Sequence, residues 1–296
     1  MRIPRILILP SLCTLANALC GFGAITLTTH ALLGARPTGT IGPADVKWAG
    51  FLVILAMVFD ALDGRLARYA RATSDFGGQL DSVADTVSFG AAPAFLMNRV
   101  VVECLRGQVP AGLQDVLRLA WVCAAVYLGC TLIRLARFNV ENVHEEEAHM
   151  SFKGLPSPAA AGALVSLIIV LADLLDKGYH PRVAGVMLWV LPVVAAVLGL
   201  LMVSDIRYTH LLNRFVRRRR PISHLVLVLL LVLLVIVLRE VILPLAFGGY
   251  VLTGPIAALR RRLRRGGGPP KPAGSRALAH DEGKQAGADE APDPPA

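Results

Sequence analysis

The feature that most constrains this chain is a set of long uncharged runs. A helix that crosses a bilayer needs about 20 residues, because each residue adds about 1.5 Å and the hydrocarbon core is about 30 Å thick. Four runs are long enough: residues 6–35, 154–172, 183–204 and 241–259. We expect the first to be a retained helix, since it is longer than the apolar part of a signal peptide and no small-residue cleavage site closes it. The sequence therefore predicts a helical membrane protein.

Three shorter apolar runs also need an explanation. Residues 48–59, 86–98 and 119–133 contain 12, 13 and 15 residues, too few to cross alone. Each is expected to cross with charged residues at one end, and such residues are costly at membrane depth and usually functional. With a further run at 224–238, eight spans are predicted. The predicted fold class is an all-α, polytopic membrane helix bundle, with a six-helix catalytic core and a C-terminal pair of helices.

The basic residues indicate how the helices are oriented. Their clusters fall on one side of the eight-span arrangement, which the positive-inside rule places in the cytoplasm together with both termini. The net charge of +9 lies mostly at 217–220 and 260–265, beside apolar runs, and favours membrane lipids with anionic headgroups over nucleic acid as partner. We predict a membrane core at 1–208, an anchoring helix pair with basic flanks at 209–265 and a disordered cytoplasmic tail at 266–296.

An acidic motif between the second and third helices indicates the chemistry. Residues 60–85 read DALDGRLARYARATSDFGGQLDSVAD. The aspartates form two pairs, spaced i,i+3 and i,i+4, so that each pair lies on one helix face. Carboxylates that meet in a low-dielectric site cannot all stay ionised without cations, and an all-oxygen site selects hard ions such as Mg²⁺, Mn²⁺ or Ca²⁺. Two divalent ions are expected, with Asp60, Asp63, Asp81 and Asp85 as the ligands.

Small residues in the same motif predict a ligand pocket. Gly64 and Ala67 lie on the second helix and Gly77 lies near the start of the third, where a bulkier side chain would block a ligand or a neighbouring helix. Arg68 is then placed to donate to a phosphate. The alternative is a solvated cytoplasmic loop in which the acids pair with nearby arginines, but the whole pattern at this depth favours the metal site.

The spacing DxxDGxxARx8GxxxDxxxD resembles the signature of the CDP-alcohol phosphatidyltransferase family, with every defining position filled. The resemblance implies six membrane helices around a cytoplasm-facing cavity, where two divalent ions, Mg²⁺ or Mn²⁺, hold the diphosphate of a CDP-linked lipid. It implies that Gly64 and Ala67 line the cytidine pocket, that Arg68 contacts phosphate and that Asp85 is the general base. A homodimer in a bacterial cytoplasmic (inner) membrane is also expected.

Several segments resemble the branch of this family that uses L-serine as acceptor. A zwitterionic serine needs a cation for its carboxylate, and Arg134, Arg137 and Lys153 are the cations available on the expected side; Asn139 and Ser88 are nearby polar candidates. The segments are LPSLCTLANALCGF (9–22), QLDSVADTVSFGAAPA (79–94), RLARFNV (134–140), GLPSPAAAG (154–162) and LMVSDIRY (201–208).

Two assignments stay open at this point. Arg134 and Arg137 could instead be ordinary membrane-anchoring cations. Asn17, at depth in the first helix, either bonds the diphosphate of the CDP-lipid or bonds another helix.

The predicted reaction transfers a phosphatidyl group from CDP-diacylglycerol to the hydroxyl of L-serine and releases CMP. Glycerol phosphate or an inositol phosphate is the alternative acceptor. An ion-coupled transporter also places acids at depth. However, the four acids of this chain lie at predicted cytoplasmic helix ends, and no inverted repeat is visible.

Overall fold

The computed structural model describes residues 5–33, 42–70, 75–106, 115–144, 154–178, 180–206, 208 and 239–265. All regular structure in these ranges is helical, which confirms the predicted class. Described residues up to 256 belong to one compact unit, and the end of the last helix, from 257, belongs to a second. The elements are α1 (Arg5–Leu33), α2 (Pro43–Ala70), α3 (Asp75–Asp85), a π-helical turn (Thr86–Ala91), α4 (Ala92–Leu105), α5 (Asp115–His144), α6 (Ser157–Lys177), α7 (Pro181–Val203) and α8 (Arg239–Arg265).

Six stretches of helix in the described ranges are long and apolar enough to cross a membrane. Because α3, the π-helical turn and α4 follow one another without a break, together they form one of these stretches. The short run at 48–59 lies within α2, which has 28 residues and a charged second half. Because α2 is not among the six stretches, its crossing of the membrane stays a prediction. The run at 224–238 and the tail at 266–296 lie outside the described residues. The stretches are Ser11–His30, Phe76–Leu105, Leu117–Val140, Ser157–Lys177, Pro181–Val203 and Val241–Arg260.

Small residues allow the central helices to approach one another closely. A Cβ atom at Gly50 of α2 would lie 2.8 Å from Cγ1 of Ile169 in α6, and one at Gly199 of α7 would lie 3.0 Å from Cα of Tyr127 in α5. Close packing of this kind drives helix association in lipid, where apolar burial alone gives little preference. Large apolar side chains on the outer surface remain exposed, as a lipid-facing surface requires; examples are Leu19, Phe22, Trp121, Val186 and Leu200.

An ion-pair network ties the start of α2 to the end of α6. Lys47 Nζ lies 2.8 Å from Asp173 Oδ1 and 3.0 Å from Asp176 Oδ2, and Lys177 Nζ lies 2.7 Å from Asp173 Oδ2. Lys47 precedes Asp60 by about 20 Å along the helix axis. The network therefore fixes the end of α2 that is remote from Asp60 and Asp63.

Candidate active site

Three of the four predicted metal ligands come together at one end of the bundle. Asp60 and Asp63, one turn apart in α2, meet Asp81 of α3, and each offers a carboxylate oxygen within 4.8 Å of the others. The i,i+3 spacing places the α2 pair on one face. We call these three residues the acid cluster.

The acid cluster fits a hard cation. Asp63 is only 5% exposed and accepts a hydrogen bond from the hydroxyl of Thr14 in α1. Within the described part of the chain, Oδ2 of Asp63 and Oδ1 of Asp81 are buried and have no hydrogen-bond partner. Buried polar atoms are nearly always paired, and buried charge is stable only when compensated. A divalent cation bound by carboxylate oxygens would supply that compensation.

Asp85, the fourth predicted ligand, lies beside the acid cluster but is held differently. It ends α3, is 8% exposed, and interacts electrostatically with Asp60 and Asp81. Its Oδ1 accepts a hydrogen bond of 3.1 Å from Nδ2 of Asn17 in α1. Asp85 is not one of the three residues whose carboxylate oxygens lie within 4.8 Å of one another. Of the two roles left open for Asn17, the structure shows the bond to another helix, and this bond ends on the predicted general base.

A π-helical turn directly after Asp85 shapes this region. Such turns occur frequently at functional sites. Ser88, within the turn, donates a hydrogen bond of 2.8 Å to the backbone carbonyl of Asn17. A Cβ atom at Gly21 would lie 2.7 Å from Cα of Ser88, so α1 can come this close only with glycine at that position. The π-helical turn was not predicted from the sequence.

The open space beside the acid cluster is on the α2 side. Gly64 is exposed, and a Cβ atom placed there would have no neighbour within 4 Å. Gly77, at the start of α3, is partly exposed. The side chains of Ala67 and Arg68 lie outside what the structure describes, so their predicted contacts with the CDP-lipid stay predictions.

The candidate serine-binding cations have different surroundings. Arg134 of α5 is partly buried and forms neither a hydrogen bond nor a salt bridge with any described residue, but it interacts electrostatically with Asp85 and with Tyr250 of α8. Arg137, one turn further along, has Nη2 3.7 Å from Oδ1 of Asp205, just after α7. Lys153 lies outside the described residues. The structure therefore brings Arg134 towards the acids and joins Arg137 to the end of α7.

Residues 154–155 pack against the end of α7. The backbone N–H of Gly154 donates to Ile206 O at 2.9 Å, and that of Leu155 donates to Leu201 O at 3.0 Å. Gly154 has φ = 87°, and a side chain there would collide with the carbonyl oxygen of Met202. Only glycine satisfies both conditions without strain.

Polar contacts join α5 to the helix that carries Asp81 and Asp85. Ser82 Oγ donates to Oδ1 of Asn139 at 3.0 Å, and the buried Tyr127 hydroxyl donates to the carbonyl of Phe89 at 2.9 Å. Asn139 and Ser88, the two polar candidates of the sequence analysis, thus both have partners within the protein. Ser88 bonds α1, whereas the Ser82–Asn139 and Tyr127–Phe89 contacts fix the position of α5, and with it Arg134, relative to Asp85.

A helical membrane protein with clustered, at least partly buried carboxylates and, beside them, a guanidinium that bonds no described residue is suited to bind a phosphate ester together with a divalent metal. The sequence model of one such group of enzymes, the CDP-alcohol phosphatidyltransferases, matches residues 7–201. The chain belongs to this family. No solved structure matches it.

Curated relatives of this chain carry the name CDP-diacylglycerol–serine O-phosphatidyltransferase. The protein from Methanocaldococcus jannaschii is 34% identical over 163 residues, 55% of this chain and 64% of that protein. The protein from Helicobacter pylori strain J99 is 38% identical over 160 residues, 54% and 60% of the two chains. The protein from Bacillus subtilis is 30% identical over 202 residues, 68% and 90% of the two chains. The chain thus matches about three fifths of the length of the first two relatives.

Proposed function

We propose that this protein is a phosphatidylserine synthase, which transfers the phosphatidyl group of CDP-diacylglycerol to the hydroxyl of L-serine and releases CMP. The observation that carries the proposal is the juxtaposition of the acid cluster, the Asp85 carboxylate that Asn17 holds, and the guanidinium of Arg134, which forms no ion pair with a described residue. The names of the relatives support serine as the acceptor.

The acid cluster is the proposed metal site, with Asp85 as a further ligand. The two unpartnered oxygens, Asp63 Oδ2 and Asp81 Oδ1, are the atoms that most need a cation. Bound Mg²⁺ or Mn²⁺ would neutralise the diphosphate and the leaving CMP. Gly64, Ala67, Arg68 and Gly77 are proposed to line the site of the CDP-lipid.

Asp85 is the proposed general base. The amide of Asn17 holds one carboxylate oxygen, which fixes the side chain and leaves the other oxygen to take the proton of the serine hydroxyl. A bond then forms between the serine oxygen and the phosphorus that carries diacylglycerol, as the bond from that phosphorus to the CMP oxygen breaks. The burial of Asp85 keeps water from competing as the acceptor.

Arg134 is the proposed partner of the serine carboxylate. A guanidinium binds a carboxylate with two parallel hydrogen bonds, and Arg134 has no ion pair in the described part of the chain that would have to break first. Arg137, which contacts Asp205, is proposed to hold the end of α7 in place for this site.

The site is proposed to face the cytoplasm of a bacterial cell, in the inner membrane. The reason is the one-sided distribution of arginine, which includes Arg65, Arg134 and Arg137 at the end of the bundle that carries the acids. The domain limits and the homodimer stay predictions.

The test is a comparison of acceptors. Purified enzyme in detergent receives CDP-diacylglycerol, Mn²⁺ or Mg²⁺, and one labelled acceptor at a time: L-serine, glycerol phosphate or inositol phosphate. We expect label in lipid only with serine, together with release of CMP. Asp60→Asn, purified in the same way, is the control for contaminating host enzymes. Lipid labelled by glycerol phosphate but not by serine would overturn the choice of acceptor.

A further inference from the structure

The last described helix, α8, packs against the core although it lies beyond residues 7–201, the part that matches the family. Its sequence alone suggested only an anchoring role, and its outer face is exposed, as at Leu252. Its inner face is at least partly buried and follows helical spacing. This inner face consists of Leu243, Phe247, Tyr250, Val251 and Gly254.

Two glycine residues let aromatic rings seat α8. The ring of Phe247 in α8 occupies the space that a side chain at Gly162 of α6 would fill. The ring of Tyr208, the last described residue before α8, does the same at Gly254 of α8. The helix therefore inserts one ring into the core and receives another, and both contacts depend on its position.

Tyr208 is the residue through which α8 contacts the segment after α7. It is buried, its hydroxyl donates to the backbone carbonyl of Val251 at 3.3 Å, and its ring centroid lies 5.9 Å from that of Tyr250. Because a hydrogen bond, a second ring and the surface of Gly254 all restrict it, the Tyr208 ring cannot move independently of α8.

The segment after α7 joins three elements within four positions. Asp205 Oδ1 lies 3.7 Å from Nη2 of Arg137 in α5, the carbonyl of Ile206 accepts from the backbone N–H of Gly154 at 2.9 Å, and Tyr208 bonds α8. The ion pair is exposed and contributes little by itself. Since at most about 11 Å of chain separates Tyr208 from Asp205, a displacement of the tyrosine is passed on to the two residues that contact α5 and Gly154.

We infer that α8 positions the acceptor side of the site and that Tyr208 is the positioning residue through which it acts. The side chain of Tyr208 holds the segment after α7, and this segment in turn holds Arg137 and the backbone of Gly154. The inference rests on the proposed function, because it takes the acceptor to be serine.

The first test adds a methyl group at the contact between α8 and Tyr208. Gly254→Ala places a Cβ atom where the Tyr208 ring lies, so the ring and the segment that carries it must move. We expect KM for serine to rise by about fivefold or more, which corresponds to the lower end of the cost of overpacking a filled site. KM for CDP-diacylglycerol should be unchanged, because residues 60–85 do not form the seat of α8.

Gly249→Ala is the matched control. It makes the same change in the same helix, but on its exposed face, where a Cβ atom has no neighbour within 4 Å. Both KM values should match those of the wild type, and a rise in serine KM equal to that of Gly254→Ala would overturn the inference. Tyr208→Phe is a milder change that keeps the ring and removes only the hydroxyl, so it should raise serine KM by about two- to tenfold. A wild-type serine KM in both Gly254→Ala and Tyr208→Phe would also overturn the inference.

Two further measurements separate positioning from general support of the fold. In a Tyr208→Ala background, Gly254→Ala should add less than about a twofold effect, because residues in contact are not additive; a full further fivefold rise would overturn the inference. The melting temperature of each variant in detergent is the second measurement. A lower melting temperature together with a rise in both KM values would show general support of the fold and overturn the inference. Failure of the wild-type enzyme to use serine would instead refute the proposed function.

Discussion

The contact between Asn17 and Asp85 gives the sharpest test of the proposed chemistry. Asn17→Leu keeps the approximate size of the side chain and removes the amide that donates to Asp85 Oδ1 at 3.1 Å. No other side chain in the described ranges donates a hydrogen bond to Asp85. The backbone carbonyl of Asn17, which accepts from Ser88, is still present in the variant. The change therefore isolates one hydrogen bond to the proposed base.

The magnitude follows from the charge and burial of the acceptor. A hydrogen bond to a charged group contributes about 1.5 to 3 kcal/mol, and about 1.4 kcal/mol corresponds to a tenfold change in rate. If Asp85 must be held in place to take the proton, kcat should fall by about 10- to 150-fold. Since the proposed contacts with serine and with CMP lie elsewhere, the two KM values should change much less.

The assay is initial rate against each substrate in turn, with the other saturating. Thr28→Val is the matched control, because Thr28 is also buried in α1 but donates only to Ala24 O of its own helix, at 2.7 Å. It lies about 16 Å along the axis from Asn17, and its kcat should match that of the wild type. A wild-type kcat in Asn17→Leu would refute the reasoning. A rise only in KM for CDP-diacylglycerol would assign Asn17 to the diphosphate instead.

Four other outcomes are expected. Chelation with EDTA should abolish activity and Mg²⁺ or Mn²⁺ should restore it; full activity in a rigorously chelated sample would rule out the metal site. Asp85→Asn should stop turnover while CDP-lipid binding largely survives, whereas Asp60→Asn should weaken metal and CDP-lipid binding together in equilibrium binding assays. Gly154→Ala should lower the free energy of unfolding by about 2 kcal/mol or more, because Gly154 has a positive φ and a side chain there would collide with Met202. Gly129→Ala, at a helical position with open space around it, should not lower it. Equal melting temperatures of the two variants in detergent would contradict this expectation. A reporter fused after Arg265 should be cytoplasmic, and an external signal would contradict the proposed orientation.

Helical periodicity explains which parts of the site could be predicted. Asp60 and Asp63 are one turn apart, so their common face follows from the sequence once residues 43–70 are helical. The grouping with Asp81 needed the further assumption that the faces of α2 and α3 meet, and the structure shows that they do. Their role as metal ligands stays a prediction.

Helical periodicity could not predict contacts between segments that lie far apart in the sequence. Nothing in the spacing of Asn17 indicates that its amide reaches Asp85, because that contact depends on the close approach of α1 at Gly21. The π-helical turn was missed for a related reason. The local sequence does not distinguish a π-helical turn from an α-helix. Here the wider turn has tertiary partners, such as the Tyr127 hydroxyl, which donates to the carbonyl oxygen of Phe89.

The two halves of the site differ in how they are built, and this difference bears on how one family can serve several acceptors. The proposed metal and CDP-lipid residues come from one stretch of 26 residues, 60–85, whose helical spacing fixes their geometry. The proposed acceptor half is assembled from separate elements: Arg134 on α5, the 154–155 segment, and Asp205 and Ile206 just after α7. A change in any one of these elements can reshape the acceptor side without disturbing the carboxylates. Acceptor choice is therefore expected to depend on residues far apart in the sequence, including some beyond the part of the chain that matches the family.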